Sequence, residues 1–175
     1  MQNDVLEPRF PLKIRRNRTI LYAFIAMILS IFNVLGVDIL AIGGMTPDFL
    51  VVLVVIISMI EGQFYGTIAA FCIGLFFDIV SFDLVGTNAL AKTIIAFFAG
   101  YFSRPGFVRQ DIGSMKFIFI LFFSSIANNL IYYIFFIKPM EMSFSEFFLR
   151  YGVAMAFYTT VFGIFAMIIA NRKSK

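Results

Sequence analysis

The chain has 175 residues, of which 61% are hydrophobic and only 14% are charged, and its mean hydropathy is +0.95. Soluble domains contain roughly 45–50% apolar residues, so this composition excludes a soluble globular protein and predicts an integral membrane protein. The formal net charge of +4 fits the topology of such a protein and calls for no nucleic-acid partner.

Six apolar segments predict an all-α bundle of six transmembrane helices with short loops. A helix needs about 20 apolar residues to cross the hydrocarbon core. The second segment is the shortest. Its roughly 16 residues, at ~1.5 Å each, would form a helix of only ~24 Å. The apolar stretch 39–45 before it contains two glycines and is expected to lie in the interface or to enter the membrane as a re-entrant piece. The predicted helices are 19–37, 46–61, 63–81, 86–102, 114–137 and 144–170.

The basic residues predict the topology. Eleven of the 14 Lys and Arg residues lie before the first helix, between the fourth and fifth, or after the sixth. Because Lys and Arg accumulate in cytoplasmic loops, six spans place all three groups and both termini in the cytoplasm. A five-helix alternative would put the C-terminal basic cluster outside. These groups are Arg9, Lys13, Arg15, Arg16 and Arg18, then Arg104, Arg109 and Lys116, and finally Arg172, Lys173 and Lys175.

The basic ends also define the predicted domains. Residues 1–18 form a basic cytoplasmic segment, 19–170 the transmembrane domain, and 171–175 a basic cytoplasmic tail. The first helix resembles a signal sequence, but no A-x-A site follows it, so it is expected to remain as an anchor. The basic segment would then lie against the anionic headgroups of membrane lipid.

Enzyme classes are largely excluded by what the chain lacks. It contains no His and a single cysteine, Cys72, so metal sites built from Cys or His and Ser-His dyads are not expected. No cofactor is expected either. Two carboxylates at membrane depth, Asp48 and Asp78, could suggest an aspartyl protease dyad. They lack the Tyr-Asp and Gly-x-Gly-Asp contexts of such enzymes, and we predict a protein that is not an enzyme.

The helix ends carry capping signals. Thr46 is expected to cap the second helix, with Pro47 at its first position and Asp48 in its first turn. Asp48 therefore has a structural interpretation beside a functional one. Ser143 and Glu146 form a capping box for the sixth helix, and Glu146 and Arg150 are spaced for an ion pair.

Four polar residues are predicted to cluster in the outer leaflet: Asp48, Asp78, Asn88 and Lys92. Lys92 is expected to neutralise at least one carboxylate, because buried charges persist only when they are paired. We expect Lys92 to pair directly with Asp78, and exchanging the two charged side chains would test this contact. The cluster is either a structural lock or a binding site.

Two further patterns concern contacts within the membrane. Small residues four apart let helices approach closely, either within the bundle or against a partner protein. Polar residues in the middle of the fifth helix are expected to hydrogen-bond across helices or to line a small cavity. The small residues are Gly62, Gly66, Ala70, Gly74, Gly152 and Ala156, and the polar ones are Ser124, Ser125, Asn128 and Asn129.

Three motifs in order resemble the MreD family of bacterial rod-shape-determining proteins. They are Pro47-Asp48-Phe49-Leu50, then Gly66 followed by Gly74-Leu75-Phe76-Phe77-Asp78, and finally Gly86-Thr87-Asn88-Ala89-Leu90-Ala91-Lys92-Thr93. The resemblance covers about residues 46–100. It implies a non-enzymatic inner-membrane scaffold of the cell-wall elongation machinery. The implied partners are MreC, and through the complex MreB, RodA and a penicillin-binding transpeptidase. The bundle surface would bind the transmembrane helix of MreC.

The architecture also resembles another class, the substrate-binding subunits of energy-coupling-factor vitamin transporters. These are small six-helix bundles that hold a ligand near the outer face, and the predicted polar cluster would suit such a site. They carry an Ala-x-x-x-Ala motif on the first helix, where this chain has Ala26-x-x-x-Ser30. The scaffold is therefore the favoured hypothesis and the transporter subunit the alternative.

Overall fold

A computed structural model describes residues 12–35, 41, 45–82, 84–104, 112–137 and 148–172. Within these ranges the chain forms six helices and no β-strand. Short π-helical segments extend the fifth helix through Tyr133–Ile137 and precede the sixth at Phe148–Val153. The helices are α1 (Leu12–Leu35), α2 (Phe49–Glu61), α3 (Gln63–Ser81), α4 (Thr87–Tyr101), α5 (Met115–Tyr132) and α6 (Ala154–Arg172).

The helices lie where the apolar segments predict them, with differences at their ends. Helix α1 begins at Leu12, inside the segment 1–18 that was expected to precede it. Helix α2 begins at Phe49 with Asp48 as its N-cap, so the prediction that Thr46 caps it is wrong. Most of the predicted re-entrant stretch 39–45 lies outside the described residues, as do the capping box at Ser143 and the side chains of its ion pair.

Three helical segments are long and apolar enough to cross a membrane: 16–35, 63–81 and 115–135. Helix α2 and the segment 154–169 are apolar but shorter. At ~1.5 Å per residue, α2 covers only ~20 Å and α4 only ~22 Å of a hydrocarbon core of about 30 Å. The described residues are thus those of a helical protein with three helices that are long and apolar enough to cross a membrane.

Helix α2 is the centre of the bundle. It contacts each of the other five helices, and ten of its residues are buried, including Leu50, Val54 and Ile57. A helix that is hydrophobic on all sides is one that other elements surround, which matches its sequence from Phe49 to Ile60. The neighbours of α2, and not α2 itself, therefore provide most of the surface that faces lipid.

Gly62 joins α2 to α3. Its φ of 88° lies in a region that side chains with a Cβ rarely adopt, and its amide donates to the carbonyl of Ser58. Gly62 therefore precedes the helix that carries Gly66, Ala70 and Gly74. It is the turn that folds α3 back along α2.

Candidate functional site

Asp48 connects four helices at one end of the bundle. Its Oδ1 accepts the amides of Leu50 and Val51 at 2.9 and 3.1 Å, which caps α2. Its Oδ2 lies 3.3 Å from Lys92 Nζ on α4 and 3.4 Å from Asn128 Nδ2 on α5. The Asp48 amide donates to Thr159 Oγ1 on α6 at 3.1 Å. A single residue thus links the start of α2 to positions within α4, α5 and α6.

Lys92 is fully buried, with 0% of its side chain exposed, whereas 26% of Asp48 is exposed. Its Nζ also donates to Asn88 Oδ1 at 3.0 Å, one turn earlier on α4. The ammonium lies 5.3 Å from the centroid of the Phe77 ring, within the range of a cation–π contact. Because a buried charge is tolerated only with such partners, Lys92 depends on the arrangement of all three side chains.

Asp78 has a different role from the one expected. Its carboxylate is 1% exposed and accepts the amides of Gly86, Asn88 and Ala89 at 2.8, 3.1 and 3.2 Å. These are the N-terminal amides of α4, whose own N-cap residue Gly86 has no side chain to offer them. Negative charge at a helix N-terminus is favourable because the helix dipole is positive there. The expectation that Lys92 balances Asp78 is wrong, since Lys92 pairs with Asp48.

Gly74 explains why Asp78 reaches α4. A Cβ at Gly74 would lie 2.5 Å from Ala89 Cα and 2.6 Å from Asn88 O, so only glycine allows this approach of α3 to α4. Asp78 follows one helical turn later on the same face. The spacing Gly-x-x-x-Asp therefore brings the two helices together and then supplies the cap of the second.

The other small residues also pack inside the bundle. A Cβ at Gly66 would lie 2.5 Å from Ser58 Cα on α2. Ala70 and Ala156 are 1% and 0% exposed, and the carbonyl of Gly152 accepts Asn129 Nδ2 at 3.1 Å. The small residues thus serve contacts between helices of this chain.

The polar residues of α5 divide between two environments. Ser124, Ser125 and Asn128 are buried, whereas Asn129 is half-buried. Asn128 belongs to the Asp48 cluster, which comprises Asp48, Asn88, Lys92, Asn128 and Thr159. Within the described residues, two buried amide atoms of that cluster have no hydrogen-bond partner, namely Asn88 Nδ2 and Asn128 Oδ1. One is a donor and the other an acceptor, and each side chain binds one end of the Asp48–Lys92 pair.

Two polar contacts were missed by sequence reasoning. Thr159 completes the Asp48 cluster, and the adjacent pair Thr159-Thr160 in an apolar helix gave no signal of that contact. Glu61, 8% exposed at the other end of α2, binds Arg18 Nη1 at 3.4 Å and Tyr22 OH at 3.0 Å. An acid at the end of a charge-free helix was a detectable signal, because such a charge requires a partner.

The contacts of the cluster join helices of this chain. Asp48 binds two backbone amides and Lys92. Asp78 binds three backbone amides of its own, so the two carboxylates do not share a partner. Among the residues that the structure describes, no group of three His, Cys, Asp or Glu side chains is placed to hold a metal ion. The fold and this site define a helical membrane protein whose buried polar groups connect its own helices.

The family model for the rod shape-determining protein MreD matches residues 14–170. The chain belongs to the MreD family, and the resemblance noted over residues 46–100 extends to nearly its whole length. No curated protein and no solved structure matches the chain. Membership supports a role in determining rod shape, and no finding supports the vitamin-transporter alternative.

Proposed function

We propose that this protein is a non-enzymatic scaffold of the cell-wall elongation machinery, and that it binds MreC within the inner membrane. Family membership supports the role in rod shape. The observation that carries the scaffold is Asp48, whose contacts unite four helices. An internal lock of this kind suits a rigid platform for other proteins. MreB, RodA and the penicillin-binding transpeptidase would join through the same complex.

The proposed topology has six spans and cytoplasmic termini. It rests on the eleven basic residues that six spans bring to one side. The short helices α2 and α4 are accommodated because α2 is enclosed by its neighbours and because a bilayer can thin around short spans.

The surface for MreC should lie away from the small residues of α3. Gly66 and Gly74 are covered by α2 and α4, so they are not accessible to a second protein. Helix α1, in contrast, exposes large apolar side chains such as Ile20, Phe24 and Ile31. We place the MreC helix against the outer surface of the bundle, where helices pack through van der Waals contact.

The test is depletion of the family member in a rod-shaped native host, followed by complementation and affinity capture. Wild-type protein should restore rods and recover MreC. Lys92→Met should lose both in proportion to its loss of folded protein, whereas Cys72→Ala, at an exposed position, should behave as wild type. Normal cell shape after depletion, with impaired uptake of a micronutrient, would overturn the scaffold in favour of the transporter subunit.

A further inference from the structure

A groove of about 780 Å³ lies between α4 and α5, and extends from Arg104 and Lys116 at one end to Ala127 at the other. Its floor contains Met59, Ile95 and Ala99, each 1% exposed. Aromatic side chains of α4 and α5 form its walls, among them Phe98 and Phe123. The volume lies within the ~300–1,000 Å³ of typical ligand sites, and most of the lining residues are apolar.

Two basic side chains stand at the mouth of this groove. Arg104 follows α4, Lys116 lies in the first turn of α5, and both are exposed. Neither forms a salt bridge with another residue in the described parts of the chain. None of the described residues that line the groove is acidic. The mouth is therefore complementary to an anionic group, while the interior is complementary to hydrocarbon.

The depth of the groove matches a single leaflet. Along α5 it extends from Lys116 to Ala127, which at ~1.5 Å per residue is about 16 Å. The hydrocarbon core is about 30 Å thick, so one leaflet contributes about 15 Å. A partner transmembrane helix would need a surface about twice as long. An acyl chain attached to a headgroup at the membrane surface has the required length.

We propose that this groove binds an anionic phospholipid, with its phosphate between Arg104 and Lys116 and an acyl chain along Phe123. The wall is open laterally, since Phe98 and Phe123 are 62% and 66% exposed, so a lipid enters from the bilayer. Basic pockets between transmembrane helices bind anionic headgroups in this way. The site is distinct from the Asp48 cluster and does not depend on binding of MreC.

The chain contains no Trp, which allows a direct test by fluorescence quenching. Phe123→Trp places the only tryptophan in the groove, where it can be excited selectively over tyrosine at long wavelength, and Phe71→Trp, at a 49% exposed position of α3, is the matched control. Each protein is reconstituted with phosphatidylglycerol or phosphatidylcholine that carries brominated acyl chains. At about fivefold per basic residue, the groove should prefer the anionic lipid by up to about 25-fold. The control position should show no preference.

The charge dependence identifies the headgroup contact. Arg104→Gln combined with Lys116→Gln should reduce the preference at the groove to about onefold. Arg15→Gln combined with Arg16→Gln removes the same charge elsewhere and should leave it unchanged. If the first pair fails to fold, high salt should abolish the preference in the protein that keeps both charges, because it screens them.

Equal quenching by both lipids at the groove would overturn the proposal. Quenching by neither lipid would overturn it as well, because the groove would then be closed or filled by protein. A preference that survives loss of Arg104 and Lys116 would place the anionic site elsewhere.

Discussion

Replacing Lys92 tests the lock that joins the helices. Lys92→Met keeps the apolar length of the side chain and removes its ammonium from Asp48. Breaking a buried ion pair costs about 3–5 kcal/mol when the remaining charge has no other partner. Asp48 keeps two amide donors and Asn128, and 26% of it is exposed. We therefore expect a loss of about 2–3 kcal/mol.

The converse change should cost more. Asp48→Asn retains an oxygen that caps α2 but leaves Lys92, which is fully buried, with Asn88 as its remaining hydrogen-bond acceptor. We expect a loss of at least about 3–5 kcal/mol. The double variant Asp48→Asn with Lys92→Met leaves no orphaned charge, so it should be more stable than Asp48→Asn alone.

Thermal unfolding of the purified protein in detergent measures these differences. For a chain of this size ~1 kcal/mol corresponds to about 2–4 °C in Tm, so Lys92→Met should lower Tm by about 4–12 °C. Arg16→Gln removes a positive charge from an exposed position and should change Tm by no more than about 2 °C. If the double variant loses the sum of the two single losses, the two side chains do not interact and the proposed pairing is refuted.

Three further predictions concern the contacts around this lock. Gly74→Ala should lower stability by about 1–3 kcal/mol through backbone overlap with α4, whereas Cys72→Ala on the same helix should change Tm little; equal melting would contradict the close approach. Asp78→Ala should accelerate amide hydrogen exchange at residues 86–89 more than Asp78→Asn, which keeps an acceptor oxygen. Unchanged exchange in both variants would show that Asp78 does not cap α4. Glu61→Ala should accelerate exchange at the start of α1, with Arg16→Gln as the exposed control, and protection that persists would show that α1 is held by other contacts.

Helix positions were predictable because stretches without charge are long and well separated. Their ends were less so, for physical reasons. Basic residues are good helix formers and extend their charges toward water. The first helix therefore begins at Leu12, within the basic segment, and not at Thr19. At α2, two candidate caps lie two residues apart. Asp48 has the extended backbone of an N-cap and bonds two amides, which left Thr46 without that role.

The candidate site was predictable in its members and not in its pairing. Asp48, Asn88 and Lys92 meet as their positions at neighbouring helix ends suggest. The partner of Asp78 was not predictable, because it consists of backbone amides. Amides appear at every position of a sequence, and only the absent side chain of Gly86 indicates which of them need an acceptor. Thr159 was missed because its separation from Asp48 is set by tertiary packing.

The three motifs that carry the family resemblance are distant in sequence but act on one another. Asp48 from the first motif pairs with Lys92 from the third, and Asp78 from the second caps the helix in which Lys92 lies. Gly74 sets the distance that makes this cap possible. Changing any one motif therefore leaves a buried charge or a helix end without its partner. This interdependence explains how the three motifs assemble α2, α3 and α4, with both aspartates engaged in contacts within the chain.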